Sequence, residues 1–194
     1  NKTFKKNISI WHEEYLKNGL DAIISNTSGC GTTLKDYRFI FRSDSNLKKK
    51  AKKISELTKD ISEYLDDKVK LNFIPKNINE KKYRIAYHSA CSMQHGQKIH
   101  SKPIDLIKKT GNEVLEIKDG HLCCGSAGTY NLLQNNIANR LLKNKIENIE
   151  KINPQFISTG NIGCITQIAQ GTKIPILHTV EIIDWYTGGP KPEV

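Results

Sequence analysis

The sequence is organised around one stretch, His121-Leu122-Cys123-Cys124-Gly125-Ser126-Ala127-Gly128-Thr129-Tyr130. Adjacent cysteines contribute little to packing, and the reactivity of the thiol usually decides why a cysteine is kept. We therefore interpret Cys123 and Cys124 as metal ligands. The glycines beside them would let the backbone approach a bound group closely.

Two further cysteines fit the spacing of a single site. Thirty-one residues lie between Cys91 and Cys123, and 36 lie between Cys124 and Asn161, which opens the segment Asn161-Ile162-Gly163-Cys164. Four of the five cysteines therefore belong to one pattern.

Short apolar runs alternate with helical periodicity along the chain, which favours an α/β fold with parallel sheets. The runs predict strands at 21–26, 83–88, 113–117, 155–160 and 174–178. The periodicity predicts helices at 4–18, 101–111, 126–134, 136–150 (with Ile137, Leu141, Ile146 and Ile149 inward), from 163, and at 180–186. One further long helix is predicted with Leu47, Ala51, Ile54, Leu57, Ile61 and Leu65 on its inner face.

An internal repeat indicates two cysteine-rich units. Residues 22–30 align with residues 156–164 at an offset of 134, with Gly-Cys in register and Thr27 opposite Asn161. The equivalent of the adjacent cysteines would then fall before the first residue, so the first unit is expected to be truncated. We predict the C-terminal part of a first unit at 1–70, a linker near 66–82, and a second unit at 71–194.

Each cysteine group of the second unit follows a predicted strand. Ligands of open parallel sheets bind beyond the carboxyl ends of the strands, so the four sulfurs should meet at one sheet edge. The repeat assigns Cys30 to the first unit as its last ligand. Its sulfur is therefore expected to lie apart from the sulfurs of Cys91, Cys123, Cys124 and Cys164.

Soft thiolates select iron-sulfur clusters, zinc or copper(I). Zinc sites usually show close Cys-x-x-Cys pairs, and here only Cys123 and Cys124 are close, which favours an iron-sulfur cluster. A structural zinc site and inert buried cysteines remain alternatives. The roles of His88 and His121 are left open: each is either a metal ligand or a packing and hydrogen-bonding residue. A cysteine that acts as a nucleophile is another alternative, but no residue at a suitable spacing is identified as its general base.

The cysteine pattern resembles the cysteine-rich CCG domain of heterodisulfide reductase. Three segments of the sequence resemble the family of glycolate oxidase iron-sulfur subunits. They are residues 88–98, the stretch around Cys123, and residues 161–164 followed by 178–181. The resemblance covers most of residues 1–187. Asn161 stands where the reductase pattern has a cysteine.

The resemblance implies an electron-transfer subunit of an oxidoreductase, with no catalytic residue of its own. It would carry electrons towards a membrane quinone from a partner subunit in which FAD oxidises glycolate to glyoxylate. The implied cofactor is an iron-sulfur cluster, [4Fe-4S] or noncubane. The implied cofactor-binding residues are Cys91, Cys123, Cys124, Cys164 and Cys30, the first four as metal ligands.

Two other functions remain open. One is a docking module without a cluster, in a dehydrogenase complex for lactate or glycerol 3-phosphate. The other is thiol or disulfide reduction of the heterodisulfide reductase type. Loss of the cysteine at position 161 favours the docking module over the reductase.

The composition and charge indicate which kinds of partner and which cellular compartment are favoured. The net charge is +10, but much of it lies in Lys48, Lys49, Lys50, Lys52 and Lys53 on the predicted outer face of a helix, without interleaved aromatic residues. An acidic partner is therefore favoured over nucleic acid. No apolar run is long enough to span a membrane. The odd number of cysteines disfavours disulfides, which indicates the reducing cytoplasm. Peripheral attachment to the cytoplasmic face of the inner membrane is left open.

Overall fold

The structure is a computed structural model that describes residues 2–67 and 81–193. Its strands form two parallel sheets flanked by helices, which confirms the α/β class. The predicted boundary at residues 70 and 71 lies outside the described residues, and the division into two cysteine-rich units stays a prediction. In the described ranges, no helix combines the length and apolarity needed to cross a membrane.

The first half of the chain builds a two-stranded sheet covered by helices. Strand β1 (Ile23–Ser25) pairs in parallel with β2 (Thr58–Asp60). The helices are α1 (Lys2–Asn18), α2 (Ser28–Lys35), α3 (Tyr37–Ile40), α4 (Lys48–Leu57) and α5 (Ile61–Asp67). Their shared core contains Ile8, Tyr37, Phe41, Ala51 and Ile54.

Strand β2 corrects the single long helix predicted after Leu47. The apolar period continues through α4 and α5, but Thr58–Asp60 between them pairs with β1 instead of turning. Thr58 and Asp60 are both buried, so tertiary pairing overrides the local helical pattern. Cys30 lies in the first turn of α2.

The second half of the chain builds a four-stranded sheet in the order β4-β3-β5-β6, all parallel. Its strands are shorter than predicted: β3 (Arg84–Tyr87), β4 (Glu113–Leu115), β5 (Phe156–Thr159) and β6 (Ile176–His178). The connecting elements are a π-helix (Ser92–Gln97), α6 (Lys102–Lys109), α7 (Tyr130–Leu133), α8 (Asn135–Glu150), α9 (Ile162–Ala169) and α10 (Thr179–Thr187).

Two details of the predicted helices are wrong. The helix expected at 126–134 is only the short α7, because Ala127 and Gly128 both have positive φ angles and turn the chain first. In α8 the inward residues include Ala138 and Leu142, whereas Ile137 is 47% exposed. The inner face of α8 is thus rotated from the predicted one, although Ile146 and Ile149 are buried as expected.

Both faces of the larger sheet are buried. Ile85 and Tyr87 of β3 point to one side and pack in a cluster with Trp185 of α10. Ala86, between them, points to the other side and joins a cluster with Ile168 of α9. Alternation along β3 therefore separates two cores, and the cysteines belong to the second of them, since Cys124 and Cys164 are members of the Ala86 cluster.

The two sheets repeat the same local arrangement. Ile23 pairs with Thr58 and Ile157 pairs with Ile176, so the offset of 134 places β1 on β5 in register. The strands that pair with β1 and β5 are β2 and β6, and each of them ends at a residue that caps the next helix. The Asp60 carboxylate accepts the N–H of Ser62, and the His178 ring accepts the N–H of Val180.

The two halves contact one another directly. Helix α2 packs on the π-helix, and the N–H of Ser28 donates to the carbonyl of Gly160 at 3.1 Å. The His178 ring lies 2.7 Å from the carbonyl of Asn26. The carboxyl ends of the two sheets thus meet near β5.

The burial of Asp60 at the end of β2 provides a test of the packing around this strand. It is 1% exposed, and burial raises the pKa of its carboxyl. A raised native pKa favours folding below the unfolded pKa of about 3.9, and that stability is lost as pH rises through the native pKa. We therefore expect Asp60→Asn to gain stability relative to the parent protein as pH rises from about 4 to 7.

The measurement is urea unfolding at several pH values. Asp21→Asn is the matched control, because Asp21 is exposed, and its difference from the parent should vary little with pH. A stability difference for Asp60→Asn that stays constant over this range would contradict the interpretation.

Candidate metal centre

The candidate site lies at the switch point of the four-stranded sheet. After β3 the chain crosses to β4 on one side, and it returns to β5 on the other side of β3. The loops beyond the carboxyl ends of β3 and β5 therefore diverge and leave a crevice, which is the usual ligand position in such sheets. Cys91 follows β3, the adjacent cysteines follow β4, and Cys164 follows β5.

The structure brings the four sulfurs together at this edge. Thiol contacts run in series from Cys91 to Cys123, then to Cys124, and then to Cys164. Cys124 and Cys164 are 1% and 5% exposed, whereas the other two cysteines are half-buried. The spacing argument thus anticipated this convergence. That the sulfurs bind a metal stays a prediction.

Cys30 is placed differently. Its side chain is exposed on α2, and none of the contacts that link the other four thiols includes it. Its assignment as a ligand of a separate site stays a prediction.

The thiols divide into two kinds. The pKa of Cys123 is lowered, first because it accepts a hydrogen bond from the Cys124 thiol, and the pKa of Cys164 is lowered by its own contact with Cys124 and then by His88. The pKa values of Cys91 and Cys124 are raised, chiefly because their protons are shared with Cys123. Two thiolates are therefore favoured, and a bound metal would displace the remaining protons.

The backbone after the cysteine pair is shaped to hold them. The N–H of Gly125 donates to the sulfur of Cys123 at 3.3 Å. Gly125 has a φ of 98°, and a Cβ there would lie 2.4 Å from the carbonyl oxygen of Ala138 in α8. Only glycine allows both this conformation and this close approach.

Asn161 holds the helix that carries Cys164. It is the N-cap of α9, and its side-chain oxygen accepts the N–H of Cys164 at 3.2 Å. Its amide nitrogen donates to the hydroxyl of Ser28 at 2.8 Å, and that hydroxyl lies 2.7 Å from the hydroxyl of Ser92. Asn161 therefore positions a ligand and joins the two halves of the chain.

The two histidines left open by the sequence have different positions. His88 is 1% exposed, and one of its ring nitrogens lies within 4.8 Å of the sulfurs of Cys124 and Cys164. His121 is exposed, and its carbonyl oxygen accepts a 3.4 Å hydrogen bond from Gln94. Only His88 of this pair belongs to the candidate donor set.

Lys145 is a site residue that the sequence analysis missed. It is 2% exposed on α8, and its ammonium donates to the carbonyl of Asp119 at 3.0 Å. Burial lowers its pKa, while the nearby thiols, Cys124 first, oppose that shift. The signal was present, because Lys145 shares the inner face of α8 with Leu142 and Ile149. A buried ammonium beside thiolates partly compensates their charge.

The donor set fits an iron-sulfur cluster. Four convergent thiols and a buried imidazole are soft and borderline donors, and the chemistry of hard cations would call for carboxylates instead. Gly125 supplies a backbone N–H to sulfur, which is one of the means by which proteins set the potential of such clusters.

A matched pair of glycine substitutions tests the shape of this loop. Gly128 has a φ of 66°, but a Cβ there would meet nothing within 4 Å. We expect Gly128→Ala to cost roughly 1–2 kcal/mol, because alanine disfavours a left-handed backbone. Gly125→Ala adds a clash with backbone and should cost more than about 3 kcal/mol. Chemical unfolding of both variants measures the difference, and equal losses would contradict the close approach.

Comparison with known proteins finds a cysteine-rich domain and iron-sulfur subunits among the matches. The profile of the cysteine-rich domain CCG matches residues 85–169. The chain is 33% identical over 180 residues to the glycolate oxidase iron-sulfur subunit of Escherichia coli (strain K12), covering 93% of this chain and 43% of that protein. It is 29% identical over 173 residues to the probable glycolate oxidase iron-sulfur subunit of Bacillus subtilis (strain 168), covering 84% of this chain and 38% of that protein.

This chain covers a larger share of the length of a second group of relatives. The chain is 26% identical over 170 residues to lactate utilization protein A of Geobacillus sp. (strain WCH70), covering 84% of this chain and 70% of that protein. It spans less than half the length of the two glycolate oxidase subunits. Residues 85–169 therefore match the cysteine-rich domain of the CCG family, in a chain similar over most of its length to glycolate oxidase iron-sulfur subunits.

Proposed function

We propose that this chain is part of the iron-sulfur electron-transfer subunit of a complex that oxidises glycolate to glyoxylate. The observation that carries the proposal is the convergence of four thiols and a buried imidazole at the switch point of the sheet. The similarity to glycolate oxidase iron-sulfur subunits supports the choice of donor.

The chemistry divides between this chain and a flavin partner. Oxidation of glycolate to glyoxylate releases two electrons and two protons, and a flavin can accept both electrons together as hydride. A cluster held by Cys91, Cys123, Cys124 and Cys164 would take the electrons one at a time and deliver them towards quinone. This chain therefore needs no catalytic residue, and its task is to hold the cluster and set its potential.

The cluster would be a [4Fe-4S] cluster, with the noncubane form as the alternative. Cys91 and Cys123, which are half-buried, would bind its accessible side, and the buried residues Cys124 and Cys164 would bind its inner side. The complex would work in the cytoplasm, on the cytoplasmic face of the membrane that contains the quinone.

Cys30 would serve a different site, in the first cysteine-rich unit. The repeat supports this assignment, because Thr27 and Asn161 are both N-caps with extended backbone, and each is followed three residues later by a cysteine in the first turn of a helix.

Lactate is a second candidate for the donor. The observation in its favour is the 26% identity over 170 residues to a lactate utilization protein A, of which this chain covers 70%. Steady-state reduction of the quinone by the complete complex, with each acid in turn, distinguishes the two donors. The acid with the higher kcat/KM is the physiological one.

The presence of the cluster is tested on the chain itself. Anaerobic reconstitution followed by chemical analysis should find iron and acid-labile sulfide bound to the parent protein. Cys124→Ser should lose most of both, because a hard oxygen replaces a soft, buried thiolate. Cys30→Ser is the matched control and should retain them. A parent protein that binds zinc or no metal would contradict the proposal.

The direction of electron flow is tested in the complete complex. We expect Cys123→Ser to abolish quinone reduction while dye-coupled oxidation of glycolate at the flavin remains largely intact, because the ligand acts after hydride removal. Dye reduction that falls in step with quinone reduction, in a complex that still assembles, would count against this order. Normal quinone reduction would favour a docking module without a cluster.

A further inference from the structure

We propose that His88 is a nitrogen ligand of the cluster in addition to the four cysteines. Five protein ligands require the noncubane form, because the four cysteines already fill the one protein position on each iron of a cubane [4Fe-4S] cluster. The inference rests on the proposed iron-sulfur function and extends it, because it makes the donor set of mixed thiolate and imidazole type. Four observations lead to it: the position of His88 after β3, its burial, its lack of other partners, and its distance from the two sulfurs.

The position follows from the alternation of β3. Ile85 and Tyr87 face the core that contains Trp185, and Ala86 faces the opposite core that contains the cysteines. The backbone N–H of His88 donates to the carbonyl of Ser158 at 2.8 Å, so the parallel ladder continues to this residue. The His88 ring is therefore directed, like Ala86, to the side of the sheet where the sulfurs lie.

The ring is buried without an ordinary partner. Among the described residues, neither its Nδ1 nor its Nε2 makes a hydrogen bond to an oxygen or nitrogen atom. The polar group against which the ring lies is the sulfur of Cys164. An unpaired buried polar group costs about 1–3 kcal/mol, and a buried histidine without a carbonyl or carboxylate partner is unusual for a purely structural role.

The separations fit donors on one metal ion. Bonds of about 2.3 Å to sulfur and about 2.0 Å to nitrogen, the values for zinc, allow two donors of one ion to lie at most about 4.6 Å apart. A ring nitrogen of His88 and the sulfurs of Cys124 and Cys164 lie within 4.8 Å of one another. The His88 nitrogen is therefore near enough to both sulfurs to bind iron of the same cluster.

Asn161, whose side chain also contacts Cys164, does not compete for this role. The oxygen of Asn161 accepts the N–H of Cys164, and its amide nitrogen donates to Ser28. Both ends of the Asn161 amide are thus engaged, whereas the ring nitrogens of His88 remain available to iron.

A nitrogen ligand would change the redox properties of the cluster. A neutral imidazole in place of an anionic thiolate makes the cluster less negative, and this substitution raises the potential in two-iron clusters with two histidine ligands. We therefore expect a higher potential for the parent protein than for a His88→Cys variant, in which the ligand is again a thiolate.

The test is pulsed electron paramagnetic resonance on anaerobically reconstituted protein, with iron and sulfide counted first. The parent protein should show strong coupling to a directly bound nitrogen, and labelling with ¹⁵N-histidine should alter that signal. His88→Cys should retain iron, lose the nitrogen coupling and shift the potential downwards. His121→Ala is the matched control, since His121 is exposed near Cys123, and it should retain the coupling.

The outcomes separate the two proposals. A parent protein without iron and sulfide would refute the iron-sulfur function itself. A parent protein with a cluster but without strong histidine nitrogen coupling, or with coupling that persists in His88→Cys, would refute the ligand assignment alone. If His88→Cys does not fold, His88→Ala reconstituted with added ¹⁵N-imidazole provides the same readout, and a parent-like cluster without coupling to the added imidazole would overturn the assignment.

Discussion

The concentration of thiolate charge at the carboxyl ends of β3 and β5 is the constraint on which the rest of the site depends. Cys123 and Cys164 are the thiols whose pKa values are lowered, and Cys164 is almost fully buried. Burial of an anion is costly unless polar groups compensate for it. The compensation comes from several elements at once: the N–H of Gly125, the ammonium of Lys145 and the ring of His88. Each of these groups is fixed by a different part of the sheet and its helices.

The same constraint explains the irregular backbone around the site. Two adjacent cysteines can both face one group only if the chain turns sharply after them, and the positive φ of Gly125 begins that turn. The turn brings the loop within contact distance of the backbone of α8 at Ala138. Because α8 also carries Lys145, the requirement for glycine and the position of the buried ammonium arise from one packing arrangement.

The contact between the two halves of the chain is coupled to the same group of ligands. Asn161 caps the helix of Cys164 and donates to Ser28, and Ser28 contacts Ser92, the neighbour of Cys91. Loss of this network would therefore disturb two of the four cysteines without removing a thiol. It also gives Asn161 a definite role at a position where the related reductase pattern has a cysteine.

The sequence by itself determined the α/β class, the repeat at an offset of 134 and the meeting of four cysteines, because these depend on local runs, turn residues and strand order. It did not reveal β2, since Thr58–Asp60 becomes a strand only through pairing with β1. It also left the role of His88 undecided and missed Lys145. Which side of a strand or helix faces the sulfurs depends on which layer covers that side, and only the tertiary packing of α8 and α9 against the sheet decides this.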